Sequence, residues 1–553
     1  MRIDRGFLAF LAVVPAVGFF AHPAKAESRT LLTPRAGTSL SHGIHLAASG
    51  RYLQDVCSHA TDVFCLSERL LPADWVPGKP IPQTGSATPT GMTPSDVLAA
   101  YAIPSSASAG GAVVAILDSP DSQAFADLTA YRSQFNLPAM NKCPLTAANV
   151  PTFSTTPCFG QVAEDGTAST GGDSAPSGDI ETSLDMDMIS AGCPDCSILL
   201  VEISNLENAD IVTAVASAKS FDAVAISISL GGAEATDPSC TGTACTDAGD
   251  PTGNGQFTTP GHLVLAASGD FGYLSINNPT SAGGDMSPSY PASAPDVLAV
   301  GGTNLILDGT TYDEAVWNDG TFNTSENGQD VTTSGCSTEF PMPSWQANLF
   351  PSSLCSMRAT ADLSAAATFA TKSGTTLTAQ DIAIYQAGWQ PVEGTSASAP
   401  LVAGLFTRLG LIGAISNNLA WEYSNPSAFN DLGSAAYPSD PAGSNTDSTT
   451  TSCGVLCTVG PGWDGPSGVG TPNGAKLFAL GTGVADSGAM DAGVAAPDSG
   501  APTDDGGEEE TGSVATATCS CATPGRPSGS RAGWASALAL AALGTLAFRR
   551  QRK

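Results

Sequence analysis

Histidine and basic side chains are what this sequence has least of. Five histidines occur in 553 residues: His22, His42, His45, His59 and His262. Between residues 27 and 525 there are 12 lysines and arginines against 51 aspartates and glutamates, and the whole chain has a formal net charge of −31. A surface that acidic repels phosphate backbones, which excludes nucleic acid as a main partner. Hydrophobic residues, by contrast, make up 42% of the chain, enough for a large core. With 60 Gly and 39 Pro, the length points to long loops rather than to three or four separate domains.

Long apolar runs are confined to the two ends. Residues 1–26 have the layout of a secretory signal peptide: Arg2 and Arg5, then an apolar run Phe7–Phe20, then Ala24-Lys25-Ala26. Fourteen apolar residues are too few to span a bilayer comfortably. Residues 519–553 hold Cys519-Ser-Cys521, a short apolar stretch Ala532–Phe548 and a basic terminus Arg-Arg-Gln-Arg-Lys. This layout resembles the C-terminal sorting tags of myxobacterial surface proteins; a plain membrane anchor has the same physics. Residues 484–518, small and acidic, read as an extended disordered linker. The expected location is outside the cell, attached to its surface.

Twelve cysteines precede the tag in close pairs: Cys57/Cys65, Cys143/Cys158, Cys193/Cys196, Cys240/Cys245, Cys336/Cys355 and Cys453/Cys457. Such spacing in an oxidising compartment favours local disulfides. A zinc site at Cys193-Pro-Asp-Cys196 is disfavoured, because the chain has no second CxxC and no nearby His.

Short apolar runs at Ala112–Leu117, Ile198–Ile203, Ala223–Ser229, Leu263–Ala267 and Val297–Val300 read as buried parallel strands. Helical periodicity appears between them, at Ile180–Ala191 and Asn208–Ser220. The alternation predicts an α/β fold, with functional residues at the carboxyl ends of the strands.

Gly394-Thr-Ser396-Ala-Ser398-Ala-Pro400 opens an apolar helical run. A serine at a helix start suits a nucleophile, and equally suits an N-cap. The histidines do not supply its base. His42-Gly-Ile-His45 precedes the first core strand and Asp118, which is the wrong order for a subtilisin triad, and His262 comes too late. Glu181 and Asp185 stand four apart on one helix face, where one proton tends to be shared and one pKa rises. Taken alone, that pair is an ordinary acidic helix start.

Together with Cys193-Pro-Asp-Cys196, Ile226-Ser-Ile-Ser-Leu-Gly-Gly232, Ser268-Gly-Asp270-Phe-Gly272, Tyr290-Pro-Ala-Ser and Ala299-Val-Gly-Gly-Thr303, this order resembles the sedolisin (serine-carboxyl peptidase) family from about Leu98 to Leu480. The resemblance implies a subtilisin-like parallel sheet with helices on both faces, occupying 96–483. It implies Ser396 as nucleophile, Glu181 as its acid/base partner, Asp185 as the second carboxylate and Asp270 as the oxyanion donor. It also implies acid-active hydrolysis of protein or peptide substrates. One Ca2+ would be held by Asp431 and Asp464 with the carbonyls of Leu432, Gly460 and Gly462, an all-oxygen set of the kind calcium prefers. The large folded propeptide common in the family has no counterpart of that size here, so residues 27–95 stand as a short pro-region or a permanent N-terminal extension. The stretch Ala361–Thr368 is looser than the family pattern and receives no role. A monomer is expected. The alternative reading is a weakly active or inactive surface display or binding protein on the same scaffold; a third is a neutral subtilisin-type enzyme.

Overall fold

The computed structural model describes residues 43–481, apart from 47–51, 58–63, 78, 80–84, 173–175, 204–207, 235–256, 276–286, 319–329, 433–442 and 447–452. The expected signal peptide, linker, tail and the Cys240/Cys245 pair lie outside the described residues. Among those residues no helix is long and apolar enough to cross a membrane.

The apolar runs become the middle of a ten-stranded sheet. Its order is Thr376–Ala379, Leu363–Ser373, Leu298–Asp308, Leu263–Ala267, Ala223–Ile228, Val113–Asp118, Ser197–Glu202, Cys158–Ala163 and Asn141–Lys142, with Thr311–Val316 folded back on Leu298–Asp308. All pairings from Leu363–Ser373 to Asn141–Lys142 are parallel. Continuous burial explains the lack of polar alternation in these strands: both faces are covered. Helices Ala124–Gln134, Pro176–Gly192 and Thr395–Arg408 pack on one another in one layer, and Asn208–Ser220 covers the strands on the other face.

Two strands next to the sheet's edges escaped the apolar pattern. Cys158–Ala163 is interrupted by Gly and Gln, and Leu363–Ser373 is built mostly from Ala, Thr and Ser. Small residues are needed in the second because the helix Thr395–Arg408 lies directly on it. At this crowded contact, a Cβ on Gly302 of the neighbouring strand would sit 2.7 Å from Ala367 Cβ. The loose stretch after Asp362 is therefore a core strand. Asp362 itself forms a buried ion pair with Arg358 at 2.6 Å and accepts the Tyr423 hydroxyl at 2.5 Å.

The described residues before 95 are woven into the same body. Ile44–Leu46, Tyr52–Asp55 and Glu68–Leu70 form an antiparallel sheet that continues into Trp389–Glu393 and Ile382–Tyr385. Phe64–Cys65 pairs with Leu230–Ala233, which also pairs with Ser289–Tyr290. Five of the six expected disulfides are formed: Cys57–Cys65, Cys143–Cys158, Cys193–Cys196, Cys336–Cys355 and Cys453–Cys457.

Candidate active site

The carboxyl ends of the central strands deliver Asp118, Ser229 and Asp270 to one place, each at or just beyond the last strand residue. Helix Pro176–Gly192 brings Glu181 and Asp185 over them, and helix Thr395–Arg408 brings Ser396. All six side chains are fully or almost fully buried. The sequence-derived set Ser396, Glu181, Asp185 and Asp270 is thus brought together.

Ser396 occupies the second position of its helix, after Gly394 at φ +138°. Pro400 stands one turn on and has no N–H to give the Ser396 carbonyl. The Ser229 hydroxyl bonds that carbonyl instead, at 3.1 Å. Ser229 Oγ also lies 2.7 Å from Asp185 Oδ1. One hydroxyl proton cannot serve both, so a protonated Asp185 donating to Ser229 completes the chain. Its pKa is raised well above the carboxylate range, first by burial and then by the nearby charges of Asp118 and Glu181.

Glu181 is pushed up to about 7 by burial, with hydrogen bonding to the Ser396 and Ser67 hydroxyls opposing the shift. A carboxyl near neutrality can take and return a proton, which is what a partner to Ser396 requires. Ser396 Oγ donates to the Ser229 carbonyl at 3.1 Å. Asp118, which the chain-order argument set aside, is raised well above its usual value by burial and then by Glu181. It joins the acid cluster beside Glu181 and Asp185. His262, at the far end of its strand, is occupied with the Ala223 carbonyl at 2.7 Å.

Asp270 Oδ1 accepts the Thr395 N–H at 3.0 Å and its hydroxyl at 2.6 Å. Its pKa is raised well above normal by burial, and further by the charges of Glu181 and Asp330. Oδ2 faces Gly394, where an added Cβ would approach it to 2.9 Å. A neutral Asp270 would present an O–H there, beside the Ser396 N–H: two donors for a developing oxyanion.

Sequence reasoning missed Ser229 and the segment 64–70. Ser229 stood inside a quoted motif without a role, and its position between Asp185 and the Ser396 turn emerges only in three dimensions. Ser67 Oγ donates to Glu181 Oε2, and Leu66 bonds Ser396 through both its N–H and its carbonyl. Nearby, Glu68, Asp330 and Glu393 hold carboxylate oxygens within 4.8 Å of one another.

The expected calcium residues also converge. Asp431 Oδ2 accepts the Gly462 N–H at 2.8 Å and Asp464 Oδ2 the Gly460 N–H at 3.1 Å. Asp464 is fully buried. Burial, and secondarily the Asp431 charge, pushes it up to about 7. A buried carboxyl facing a second carboxylate, among Gly-rich backbone, fits a hard cation.

The chain has the subtilisin-like α/β fold, and residues 156–413 match the Subtilase family. A solved structure of Pseudomonas sedolisin (serine-carboxyl proteinase) complexed with two molecules of pseudo-iodotyrostatin shares the fold with TM-score 0.51 and 25% identity, over 71% of this chain and 98% of that one. In sequence, the chain is 30% identical over 410 residues to Kumamolisin of Bacillus sp. (strain MN-32), covering 71% of this chain and 64% of that protein. It is 33% identical over 232 residues to Sedolisin of Pseudomonas sp. (strain 101), covering 40% and 35%. The chain therefore spans less than two thirds of the length of these curated relatives.

Proposed function

We propose that the protein is a serine endopeptidase that cleaves protein or peptide substrates at acidic pH. The observation that carries this reading is the buried set Ser396, Glu181, Asp185 and Asp270, which serves a serine with carboxyls instead of imidazole. Ser396 Oγ attacks the substrate carbonyl carbon while Glu181 takes its proton. The oxyanion is met by the Ser396 N–H and by neutral Asp270. Glu181 returns the proton to the leaving nitrogen, then activates water against the acyl-serine ester. Asp185 and Asp118 keep negative charge away from Glu181 only while they are protonated. This requirement, with that of Asp270, sets the alkaline limb of activity, and the unprotonated fraction of Glu181, which falls as pH drops below its pKa, sets the acid limb.

Calcium would be held by Asp431, Asp464 and the carbonyls of Leu432, Gly460 and Gly462, as a structural ion that fixes the loop before the strand Thr471–Pro472. Secretion and attachment to the cell surface through the C-terminal segment complete the proposal. It is tested by hydrolysis of a denatured protein from about pH 3 to about pH 8. Activity confined to acid and abolished by Ser396→Ala supports it. No serine-dependent hydrolysis at any pH would leave a display scaffold.

A further inference from the structure

We propose that the cavity over Arg69, apart from the catalytic carboxyls, is a binding site for a peptide carboxylate. The Arg69 guanidinium takes the carboxylate, and the apolar wall beside it takes the carbon skeleton. Binding there does not depend on the peptidase reading above and is tested without catalysis.

Three arginines are buried among the described residues, Arg69, Arg132 and Arg358, in a chain where acids outnumber bases 52 to 21. Arg358 pairs with Asp362 at 2.6 Å. Arg132 donates to the Pro138 and Pro194 carbonyls and feels the negative charges of Asp187 and Asp195. Arg69 is 9% exposed, and among the described residues no carboxylate forms an ion pair with it. Burial lowers its pKa, and no nearby acid opposes that shift. Nη1 donates to Gln390 Oε1 at 2.9 Å and Nη2 to Gln54 Oε1 at 2.7 Å, both neutral amides, and Nε has no partner. A guanidinium has five N–H donors in a planar fork, and only two are used here. A buried charge without a counter-charge is costly, and a buried donor without a partner calls for one.

The fork is also held in place. Arg69 stands in the strand Glu68–Leu70, opposite Gln54 on one side and Val392 on the other. Gln390 is fixed in turn, since its Nε2 donates to the Gln386 carbonyl at 3.0 Å. A guanidinium positioned in advance loses little freedom when an anion arrives.

Arg69 lines a cavity of about 290 Å³. Leu70, Leu71, Trp389 and Pro391 form its apolar wall, and Thr88 and Thr90 stand at the exposed rim. A second cavity of about 550 Å³ shares Thr90 and Pro391 with it, which leaves room for a chain running on from the first. An apolar lining with a few convergent polar groups is the ordinary make-up of a ligand site. One guanidinium among neutral partners matches a monoanion, and its planar fork matches the two oxygens of a carboxylate. The apolar wall favours an anion that carries carbon over inorganic phosphate. Both the terminal carboxylate of a peptide and an Asp or Glu side chain have this chemistry. Trp389 and Gln390 belong to the strand that leads through Gly394 to Ser396, so the cavity borders the catalytic site without sharing its residues.

The test is calorimetric titration of the full-length Ser396→Ala chain at about pH 6, where peptide carboxylates are ionised. The probes are the acetylated tripeptide Ala-Ala-Leu as free acid, the same peptide as its amide, acetylated Ala-Ala-Glu amide, and inorganic phosphate. The free acid is expected to bind with a Kd of roughly 1 mM or tighter, and its amide at least about tenfold more weakly. The Ala-Ala-Glu amide then tells the two sources apart: binding equal to the free acid admits side-chain carboxylates, and weaker binding assigns the site to chain ends. Arg69→Gln is expected to weaken the free acid by about tenfold or more. Because that change removes a buried side chain, Gln54→Glu serves as the second variant. It leaves Arg69 in place, supplies a counter-charge from outside the cavity lining, and is expected to cost the same affinity with no fall in melting temperature. Equal affinity for acid and amide, no binding of any peptide, or undiminished binding in a natively melting Gln54→Glu overturns the proposal. Phosphate that binds as tightly as the free acid and displaces it overturns the peptide assignment. None of these outcomes bears on hydrolysis, so this proposal and the peptidase reading fail separately.

Discussion

Ser229 donates its hydroxyl to the carbonyl of Ser396 at 3.1 Å, in the place of the backbone N–H that Pro400 lacks. One proline thus frees the Ser396 carbonyl, and one serine connects that carbonyl to Asp185 at 2.7 Å. Ser229→Ala leaves a buried carbonyl and a buried carboxyl without this partner, which costs about 1–3 kcal/mol. The expected outcome is a lower melting temperature together with a fall in kcat larger than any change in KM, since the Ser229 backbone carbonyl is retained. An unchanged kcat would remove Ser229 from the positioning of Ser396.

In the proposed mechanism Asp270 serves the oxyanion only while neutral. Burial and the neighbouring acids raise its pKa, so it holds its proton in acid and loses it as pH rises through that value, when its charge would repel the oxyanion. Asp270→Ala is expected to lower kcat by about 10²–10³. Asp270→Asn keeps a donor that does not titrate, and should retain more activity than Ala with an alkaline limb displaced to higher pH. Identical pH profiles for the Asn variant and wild type would show that another group sets that limb.

The same carboxyls govern stability. Glu181 rises from 4.5 to about 7 in the folded protein, and Asp118, Asp185 and Asp270 are raised too. A folded-state pKa above the unfolded one means that the native state binds more protons. The stabilisation is therefore complete below the unfolded values and is lost as pH climbs through the folded ones. Glu181 alone accounts for ~3 kcal/mol across that window. Thermal unfolding should show the highest melting temperature near pH 4 and a steady decline toward pH 7 and above, shallower in Glu181→Gln. A melting temperature that rises over this range would contradict the buried neutral acids.

How much of this was legible beforehand follows from where each signal lives. Val113–Asp118, Ser197–Glu202, Ala223–Ile228 and Leu263–Ala267 were readable because strands buried on both faces are continuous apolar runs. Leu363–Ser373 was not, because close packing against the Ser396 helix selects Ala, Ser and Thr, which carry no strand pattern. Glu181, Asp185, Asp270 and Ser396 were singled out because their motifs, in that order, resemble the sedolisin family, and the fold brings the four together. Asp118 was weighed only as part of a histidine triad, so its place beside Glu181 went unseen. The role of residues 64–70 depends on pairing with strands more than 150 residues away, at Leu230–Ala233 and Trp389–Glu393, and no local pattern records such register.

The proposed calcium site gives the last test. Asp464 is buried, with Asp431 beside it, and in the absence of a cation two carboxylates there oppose each other. A bound Ca2+ stabilises the native state by about 2.7 kcal/mol at a hundredfold excess over its Kd. EGTA is therefore expected to lower the melting temperature by several degrees, and added Ca2+ to restore it. Asp431→Asn, at the more exposed carboxylate, should weaken that response while leaving the chelated protein close to chelated wild type, because it removes a charge opposed to Asp464 and keeps a side chain able to meet the Gly462 N–H. An EGTA-insensitive melt in wild type, with calorimetry showing no Ca2+ binding, would turn Asp431 and Asp464 into a purely hydrogen-bonded clasp on the glycine loop.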